Sequence, residues 1–147
     1  MITIVPPTKA EKLRVAKHQY NTILEMCRSR YNIKPFAVKW DGRGSSRLGY
    51  CKFTRDGTVL FVRFNIEYLY DDKSFLEMVN NTIAHELAHA VVISRQIKET
   101  AHGPEWRRVC IELGGSGHVC APRNLHTVVA RIRKQHQAKR KTVTYTR

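Results

Sequence analysis

Two histidines and a glutamate interrupt an apolar stretch of the chain, NTIAHELAHAVV at residues 81–92. On a helix, positions i and i+4 lie on one face about 6 Å apart, so His85 and His89 can bind a single ion. Glu86 can reach a metal-bound water without binding the metal itself. The spacing therefore predicts one zinc ion per chain, with Glu86 as general base toward the water and then as proton donor to a leaving amine.

A catalytic zinc ion needs a third protein ligand, because such sites combine three protein ligands with one open position. A histidine six residues after His89 would complete one common zinc-binding pattern, but position 95 is an arginine. His102 is favoured instead, since it stands at the start of the next predicted helix and Pro104 stiffens the backbone just after it. The sequence leaves three alternatives open: Glu105, His118 and His126.

The same pattern also has an interpretation without a metal, in which two core histidines are hydrogen-bonded to the backbone. The context favours the metal, because residues 74–93 are predicted to form one amphipathic helix that carries the pattern at its centre. Ser74 and Glu77 form a possible capping box at its start. Its predicted buried stripe consists of apolar residues at helical spacing: Leu76, Val79, Ile83, Leu87 and Val91.

Two other helices and three strands surround this segment in the predicted order of elements. Residues 8–31 predict an amphipathic helix with a capping box at Thr8 and Glu11, and residues 104–113 predict a helix that ends at two glycines. Between them lie three short segments of strand character, at 36–40, 48–54 and 58–64, the last two joined by an Asp-Gly turn. These segments predict an α+β fold with a small three-stranded antiparallel sheet.

Positive charge is concentrated at the end of the chain. The net charge is +14, and residues 131–147 contain seven Lys and Arg side chains but no acid. Such a block suits the neutralisation of phosphates, and it predicts DNA as a partner. The alternative is a solvated tail that keeps the protein in solution. The predicted DNA contacts are Arg131, Arg133, Lys134, Lys139, Arg140 and Lys141.

Cysteine usage and hydropathy point to an intracellular location. The chain shows no secretory signal at its start, and no apolar run approaches the roughly 20 residues of a membrane span. Its four cysteines contain no C-x-x-C pair, which excludes a four-cysteine zinc ribbon and favours reduced thiols. Cys110, His118 and Cys120 match no common metal-ligand spacing. We therefore expect a cytoplasmic or nucleoid-associated protein, or a nuclear one in a eukaryote, without a membrane partner.

The segment HELAHAVVISRQIKETAHGPEW resembles the SprT-like family of zinc metalloproteases, which includes bacterial SprT proteins and eukaryotic Spartan. That family pairs H-E-x-x-H with a distal histidine in an H-G-x-x-W or H-G-x-x-F motif, and the similarity extends over most of residues 8–115. The positions that match the motifs are His85, Glu86, His89, His102, Gly103 and Trp106.

The resemblance implies a single zincin-like domain in which the three histidines bind zinc and Glu86 is catalytic. It also implies DNA-dependent proteolysis of proteins crosslinked to DNA, with DNA that has single-stranded character as the activating partner. We place this domain at residues 1–122 and a basic amphipathic helix with its tail at residues 123–147. The family's paired C-x-x-C motifs and Spartan's long regulatory tail have no counterpart here. DNA recruitment is therefore expected from residues 123–147 and from the basic face of the first helix.

Three further expectations concern the use of the site. Zincin proteases bind their substrate as an added strand on a sheet edge, and residues 58–65 could supply that edge, although a purely core role is an equal alternative. A DNA-binding module with a structural zinc is one rival function. A peptidase dedicated to one partner or repressor is another. Glu86 discriminates against the first rival, because a structural site needs no carboxylate beside its ligands.

Overall fold

The computed structural model describes residues 1–42 and 47–119, together with the single positions 131 and 134. One helix, a three-stranded sheet, a 3₁₀ turn and a long helical run precede the last helix. The elements are α1 (Lys9–Tyr31), β1 (Ala37–Asp41), β2 (Gly49–Phe53), β3 (Val59–Asn65), a 3₁₀ turn (Ile66–Tyr70), α2 (Asp72–Glu77), a π-helical turn (Met78–Thr82), α3 (Ile83–Ser94) and α4 (Pro104–Glu112). The fold is α+β, as predicted. None of the described helices is long and apolar enough to cross a membrane.

Helix α1 begins and ends as its sequence predicts. The side chain of Thr8 accepts a hydrogen bond from the Glu11 amide, which satisfies one of the free N–H groups of the first turn. At the other end Asn32 takes a left-handed conformation with φ of 51°, which asparagine adopts more readily than most residues. The face between these ends buries Tyr20, whose ring meets that of Trp40 in an edge-to-face contact at a centroid distance of 5.9 Å. Trp40 is partly buried and packs against the core.

The sheet has the strand order β1-β3-β2 and is mixed. The hairpin between β2 and β3 is antiparallel, as predicted, and Gly57 in its turn has φ of 89°. Strand β1, however, pairs parallel to β3, so the prediction of a purely antiparallel sheet is wrong. Alternating apolar residues identify the buried face of a strand but contain no information on the direction of its neighbour. The strand order makes β3 the central strand, and its Val62 and Phe64 are fully buried, so residues 58–65 form a core strand. Of the two roles that the sequence left open for this segment, the core role is correct and the edge role is wrong.

The helix that carries the H-E-x-x-H pattern is part of a continuous helical run from Asp72 to Ser94. Its cap is Asp71, whose carboxylate accepts from the Ser74 amide at 3.1 Å and from the Ser74 hydroxyl at 3.2 Å. The predicted capping box at Ser74 is therefore wrong, because the preceding aspartate is an equally good cap and Ser74 is buried in the first turn. Most of the predicted stripe is buried in the core; Leu76 is only partly so.

The cysteines that the structure describes, Cys27, Cys51 and Cys110, are free thiols. Burial raises the pKa of Cys27 and of Cys51 to about 12, so both stay protonated near neutral pH. This agrees with the reduced thiols that the sequence predicts. Cys120 lies outside the described residues.

Candidate metal centre

Three histidine side chains converge where α3 meets the loop before α4. The Nε2 atom of His102 lies 3.2 Å from Nε2 of His85 and 3.2 Å from Nε2 of His89. All the ligand atoms of the three lie within 4.8 Å of one another, and the group could hold a metal ion. Within residues 1–42 and 47–119, no other group of His, Cys, Asp or Glu has this arrangement.

The protonation of the histidines suits a cation. Burial, together with the neighbouring imidazoles, lowers the pKa of His89 to about 3 and that of His85 to about 4. Neutral imidazoles keep a lone pair, which is the form that binds metals. Three ring nitrogens facing one another at hydrogen-bond distance cannot all be satisfied by one another's protons, whereas a shared cation satisfies all three lone pairs. The donor set therefore fits zinc and the other metals that imidazole prefers.

Trp106 of α4 holds the three histidines together from below. Its side chain is fully buried, and its ring centroid lies 4.7 Å from those of His85 and His102 and 5.4 Å from that of His89. Its indole N–H donates to the backbone carbonyl of His85 at 3.1 Å. The Trp106 side chain thus joins α4 to α3 and contacts the histidines of α3 as well as His102 of the loop before α4.

Glu99 in the loop before α4 determines where that helix begins. Its carboxylate accepts hydrogen bonds from the amides of Glu105 at 3.1 Å and Trp106 at 2.8 Å, and so caps α4 from a position five residues before Pro104. Gly103 makes this possible, because a Cβ atom there would lie 2.6 Å from the Glu99 carboxylate. This cap could not be predicted from the sequence, since a carboxylate so far from the first turn matches no local capping motif.

Glu86 lies beside the three nitrogens but outside their group. Its carboxylate oxygen is 3.9 Å from Nε2 of His85, and the residue is only 6% exposed. Burial raises the pKa of this carboxyl group to about 8, and the positive charge of Arg47 acts in the opposite direction. A buried carboxylate in this position can exchange a proton with a molecule bound at the centre.

A cleft of about 680 Å³ opens over the centre and is bordered by β2. Because β2 is an outer strand of the sheet, the edge beside the site belongs to β2 and not to residues 58–65. Gly49 of β2 allows the close approach to α3, since a Cβ atom there would lie 2.9 Å from the Arg63 carbonyl and 3.3 Å from Glu86. The residues that line the cleft come from β2 and the segment before it, from α3 and from the loop before α4. They include Arg47, Gly49, Tyr50, Cys51, His85, Glu86, His89 and His102.

The alternative third ligands do not join the group. Glu105 is directed to Arg108, with a carboxylate–guanidinium distance of 2.8 Å. The backbone of His118 contacts the His85 ring and raises its pKa, but the His118 side chain is not among the converging atoms. His126 lies outside the described residues. The structure thus places His102, and not its described rivals, beside the two helical histidines.

The predicted DNA contacts fall mostly outside the part of the chain that the structure describes. Arg131 and Lys134 are described and exposed, and the guanidinium of Arg131 lies 3.3 Å from the carboxylate of Asp71, at the cap of α2. The other four, Arg133, Lys139, Arg140 and Lys141, are outside the described residues. The division of the chain after residue 122 therefore stays a prediction.

Comparison with known protein families agrees with the geometry. The model of the SprT-like family matches residues 16–136, which is more than four fifths of the chain and includes the sheet, the three histidines and Glu86. A search of curated proteins finds no match. A match of this extent leads to a plain conclusion: the chain belongs to the SprT-like family, whose domain is of the metallopeptidase type.

Proposed function

We propose that the protein is a zinc metalloendopeptidase that cleaves proteins bound or crosslinked to DNA, and that DNA raises its activity. The observation that carries the peptidase part is the convergence of three imidazoles beside the buried carboxylate of Glu86, in a cleft bordered by an outer strand. A structural metal site has no use for an ionisable group in that position or for an open cleft. Catalysis is therefore favoured over a purely structural metal.

His85, His89 and His102 would hold the metal, and Glu86 would handle protons. When bound, zinc lowers the pKa of a coordinated water to about 7 and polarises the carbonyl of the bond to be cleaved. Glu86 accepts a proton from the water as it attacks. The same carboxyl group then gives that proton to the amine that leaves. A carboxyl group whose pKa is raised toward neutrality suits both steps, because proton transfer in each direction is then nearly balanced.

We propose that the substrate binds along the free edge of the outer strand β2. An extended polypeptide can add to its free edge through backbone hydrogen bonds, and these form with almost any side-chain sequence. Cys51 and Tyr50 of β2 line the cleft together with the three histidines. A substrate paired with β2 would therefore pass over the metal centre, and its recognition would depend little on sequence.

DNA is the proposed activator because the chain has a net charge of +14 and a basic tail at residues 131–147. Binding both the protease and its substrate to one DNA molecule raises their effective concentration for each other, without any new contact between them. An unselective peptidase needs such a requirement, since in its absence it would cleave unrelated proteins.

The decisive experiment is cleavage of a basic DNA-binding protein by the wild type and by Glu86→Gln, each with and without DNA, after the zinc content is measured by elemental analysis. We expect cleavage by the wild type with DNA, and none by Glu86→Gln with the same zinc content. One zinc per chain without cleavage under any DNA condition would favour a structural metal. Cleavage of a single partner regardless of DNA would favour a dedicated peptidase.

A further inference from the structure

The sheet has a second surface, which is directed away from the core. Successive residues of a strand point to opposite faces, and Val62 and Phe64 of β3 are buried in the core. Phe61 and Arg63 therefore lie on the opposite face, together with their neighbours on the two outer strands. We call this the outer sheet face, formed by Lys39 of β1, Phe61 and Arg63 of β3, and Tyr50 and Lys52 of β2.

Cations surround aromatic rings on the outer sheet face. The ammonium of Lys39 lies 4.0 Å from the centre of the Phe61 ring, and that of Lys52 lies 6.0 Å from it. The guanidinium of Arg63 is 5.4 Å from the Phe61 ring and 5.5 Å from the Tyr50 ring, and it donates to the Tyr50 hydroxyl at 2.7 Å. The two rings meet edge to face at a centroid distance of 6.0 Å. Exposed lysine side chains thus cover ring surface that a planar ligand could occupy instead.

The charge of this surface is positive and only partly balanced. Asp41 contacts Arg63 at 3.3 Å, whereas neither Lys39 nor Lys52 has a carboxylate within ion-pair distance among the described residues. Residues 37–63 contain six Lys and Arg side chains and two Asp. A polyanion is therefore the complementary partner for this face.

We propose that the outer sheet face binds single-stranded nucleic acid. Unpaired bases stack on Phe61 and Tyr50, and the lysines move from the rings to the phosphates. Single strands are favoured over duplexes because paired bases are stacked on each other and cannot reach an aromatic side chain. Proteins that bind RNA on a sheet use the same combination of central aromatic residues and flanking cations.

This surface adjoins the catalytic cleft through β2, since Tyr50 belongs to the outer sheet face and also lines the cleft. A nucleic acid strand bound there would lie next to the edge of β2 to which the substrate is proposed to bind. The inference rests on the proposed function for its biological partner. Its chemistry is separate from that of the tail, and it can be measured without any cleavage.

The first test is the affinity of the full-length, zinc-loaded Glu86→Gln protein for fluorescein-labelled dT15, measured by fluorescence anisotropy over a range of salt concentrations. Replacing Lys39 and Lys52 by Gln should reduce the slope of log affinity against log salt by about 1.4, since each phosphate contact on a single strand contributes about 0.7. The matched control is Lys73→Gln with Lys98→Gln, two exposed lysines in α2 and in the loop between α3 and α4. It removes the same charge and should leave the slope unchanged.

The second test separates stacking from charge. Phe61→Leu should weaken dT15 binding about tenfold, because the stacking of a base on the aromatic ring is lost. The same variant should bind an abasic 15-mer as well as the parent protein does, since that probe has the phosphates without the bases. A thermal melt shows whether Phe61→Leu is folded; if it is not, the lysine pair carries the test alone.

The results distinguish this inference from the proposed function. An equal loss in the Lys73 and Lys98 control, or an equal loss of Phe61→Leu on the abasic probe, would overturn the outer sheet face as the binding site. Unchanged dT15 binding in both sheet variants would overturn it as well, while leaving DNA as a partner through the tail. Absence of dT15 binding by the parent protein would remove single-stranded DNA from both proposals, and the cleavage assay would still decide the peptidase.

Discussion

At the scale of single residues, burial determines what each group in the centre can do. His85 and His89 are held in the neutral form, with pKa values lowered to about 4 and about 3. Glu86 is shifted in the opposite direction, to about 8. Desolvation disfavours the charged form of each group, so bases lose their proton and the acid keeps it. A bound cation would stabilise the ionised form of Glu86 and so offset the cost of burying its charge. Metal binding is therefore linked to the protonation of Glu86.

We expect the metal-free Glu86→Gln protein to lose stability in acid. Below pH 6.5 the unfolded chain binds protons at His85 and His89, whereas the folded chain does not, because the pKa values of both histidines are lowered in the fold. The free energy of unfolding therefore falls as the pH drops from 6.5 toward 4. The loss should be about 2 kcal/mol per histidine at pH 5. Urea denaturation at pH 7.5 and pH 5 measures it. The Glu86→Gln background removes the carboxyl group, which titrates with the opposite sign.

The control for this prediction is the additional change His89→Asn, which deletes one of the two titrating groups. Its loss between pH 7.5 and pH 5 should be about half as large. An unchanged loss would mean that other groups cause the acid sensitivity, and that burial of His89 does not contribute to it.

A second prediction at this scale concerns the hydrogen bond from Trp106 to the backbone of His85. Trp106→Phe keeps a ring in the core but leaves the buried His85 carbonyl without its donor. We expect a decrease of about 1–3 kcal/mol in the free energy of unfolding and weaker zinc binding. Urea denaturation and a competition titration with a zinc chelator measure the two effects. Stability loss with unchanged zinc affinity would show that Trp106 only packs and does not position His85.

At the scale of elements, long-range contacts position the helices and strands around the site. Helix α4 has no side-chain cap at Gly103, and Glu99 provides the hydrogen bonds that such a cap would make. Strand β2 reaches the metal helix because Gly49 has no side chain. The π-helical turn at Met78–Thr82 separates α2 from α3 without interrupting the helical run, a feature that is frequent at functional sites.

The cap at α4 predicts a specific coupling between Glu99 and Gly103. Gly103→Ala should displace the Glu99 carboxylate and cost about as much as Glu99→Ala, which is about 1–2 kcal/mol for the loss of a helix cap. In the Glu99→Ala background, Gly103→Ala should be nearly neutral, because the carboxylate it would displace is already absent. Urea denaturation of the two single variants and the double variant measures the coupling. Additive costs would contradict this account of Gly103.

At the scale of the whole molecule, the metal would connect two segments that are distant in sequence. His85 and His89 belong to α3, whereas His102 precedes α4, and the three nitrogens meet in one place. Binding to the folded state alone raises the free energy of unfolding in proportion to the logarithm of the ratio of free metal to its dissociation constant. The basic tail acts at the same scale, since its charge affects encounter with any polyanion.

Removal of the metal should therefore lower the melting temperature. At a free zinc concentration about 1,000 times the dissociation constant, the metal contributes about 4 kcal/mol, which corresponds to a shift of about 10 °C for a chain of this size. Calorimetry before and after treatment with a chelator measures the shift. In His102→Ala the shift should be much smaller, since one ligand is missing. An equal shift in wild type and variant would exclude His102 from the metal site.

The tail predicts a salt dependence that is separate from that of the outer sheet face. Replacing Lys139, Arg140 and Lys141 by Gln should reduce the slope of log affinity against log salt for duplex DNA by about 2.7, at about 0.9 per phosphate contact. Anisotropy with a labelled duplex measures it. A triple change of Lys34, Lys73 and Lys98 to Gln removes the same charge from exposed sites and is the control. Equal effects of the two triple changes would indicate binding by net charge alone.

The sequence by itself determined the parts of this protein that depend on local geometry. His85, His89 and Glu86 could be located because helical spacing alone places i and i+4 on one face. The cap at Thr8 and the Asp-Gly hairpin were predicted for the same reason, since each is encoded within a short segment. The family membership was predicted from short motifs and is confirmed over residues 16–136. A wrong cap at Ser74 shows the limit of such patterns where two good capping residues lie close together.

Only the tertiary structure decided the features that depend on contacts between distant segments. The choice of His102 over Glu105 and His118 as the neighbour of the helical histidines follows from Trp106 packing on α3 and from Glu99 capping α4. The parallel pairing of β1 and the position of β2 beside the cleft depend on how the two outer strands are arranged around the buried central strand β3. Burial and pairing of this kind are properties of the whole core, and no short segment encodes them.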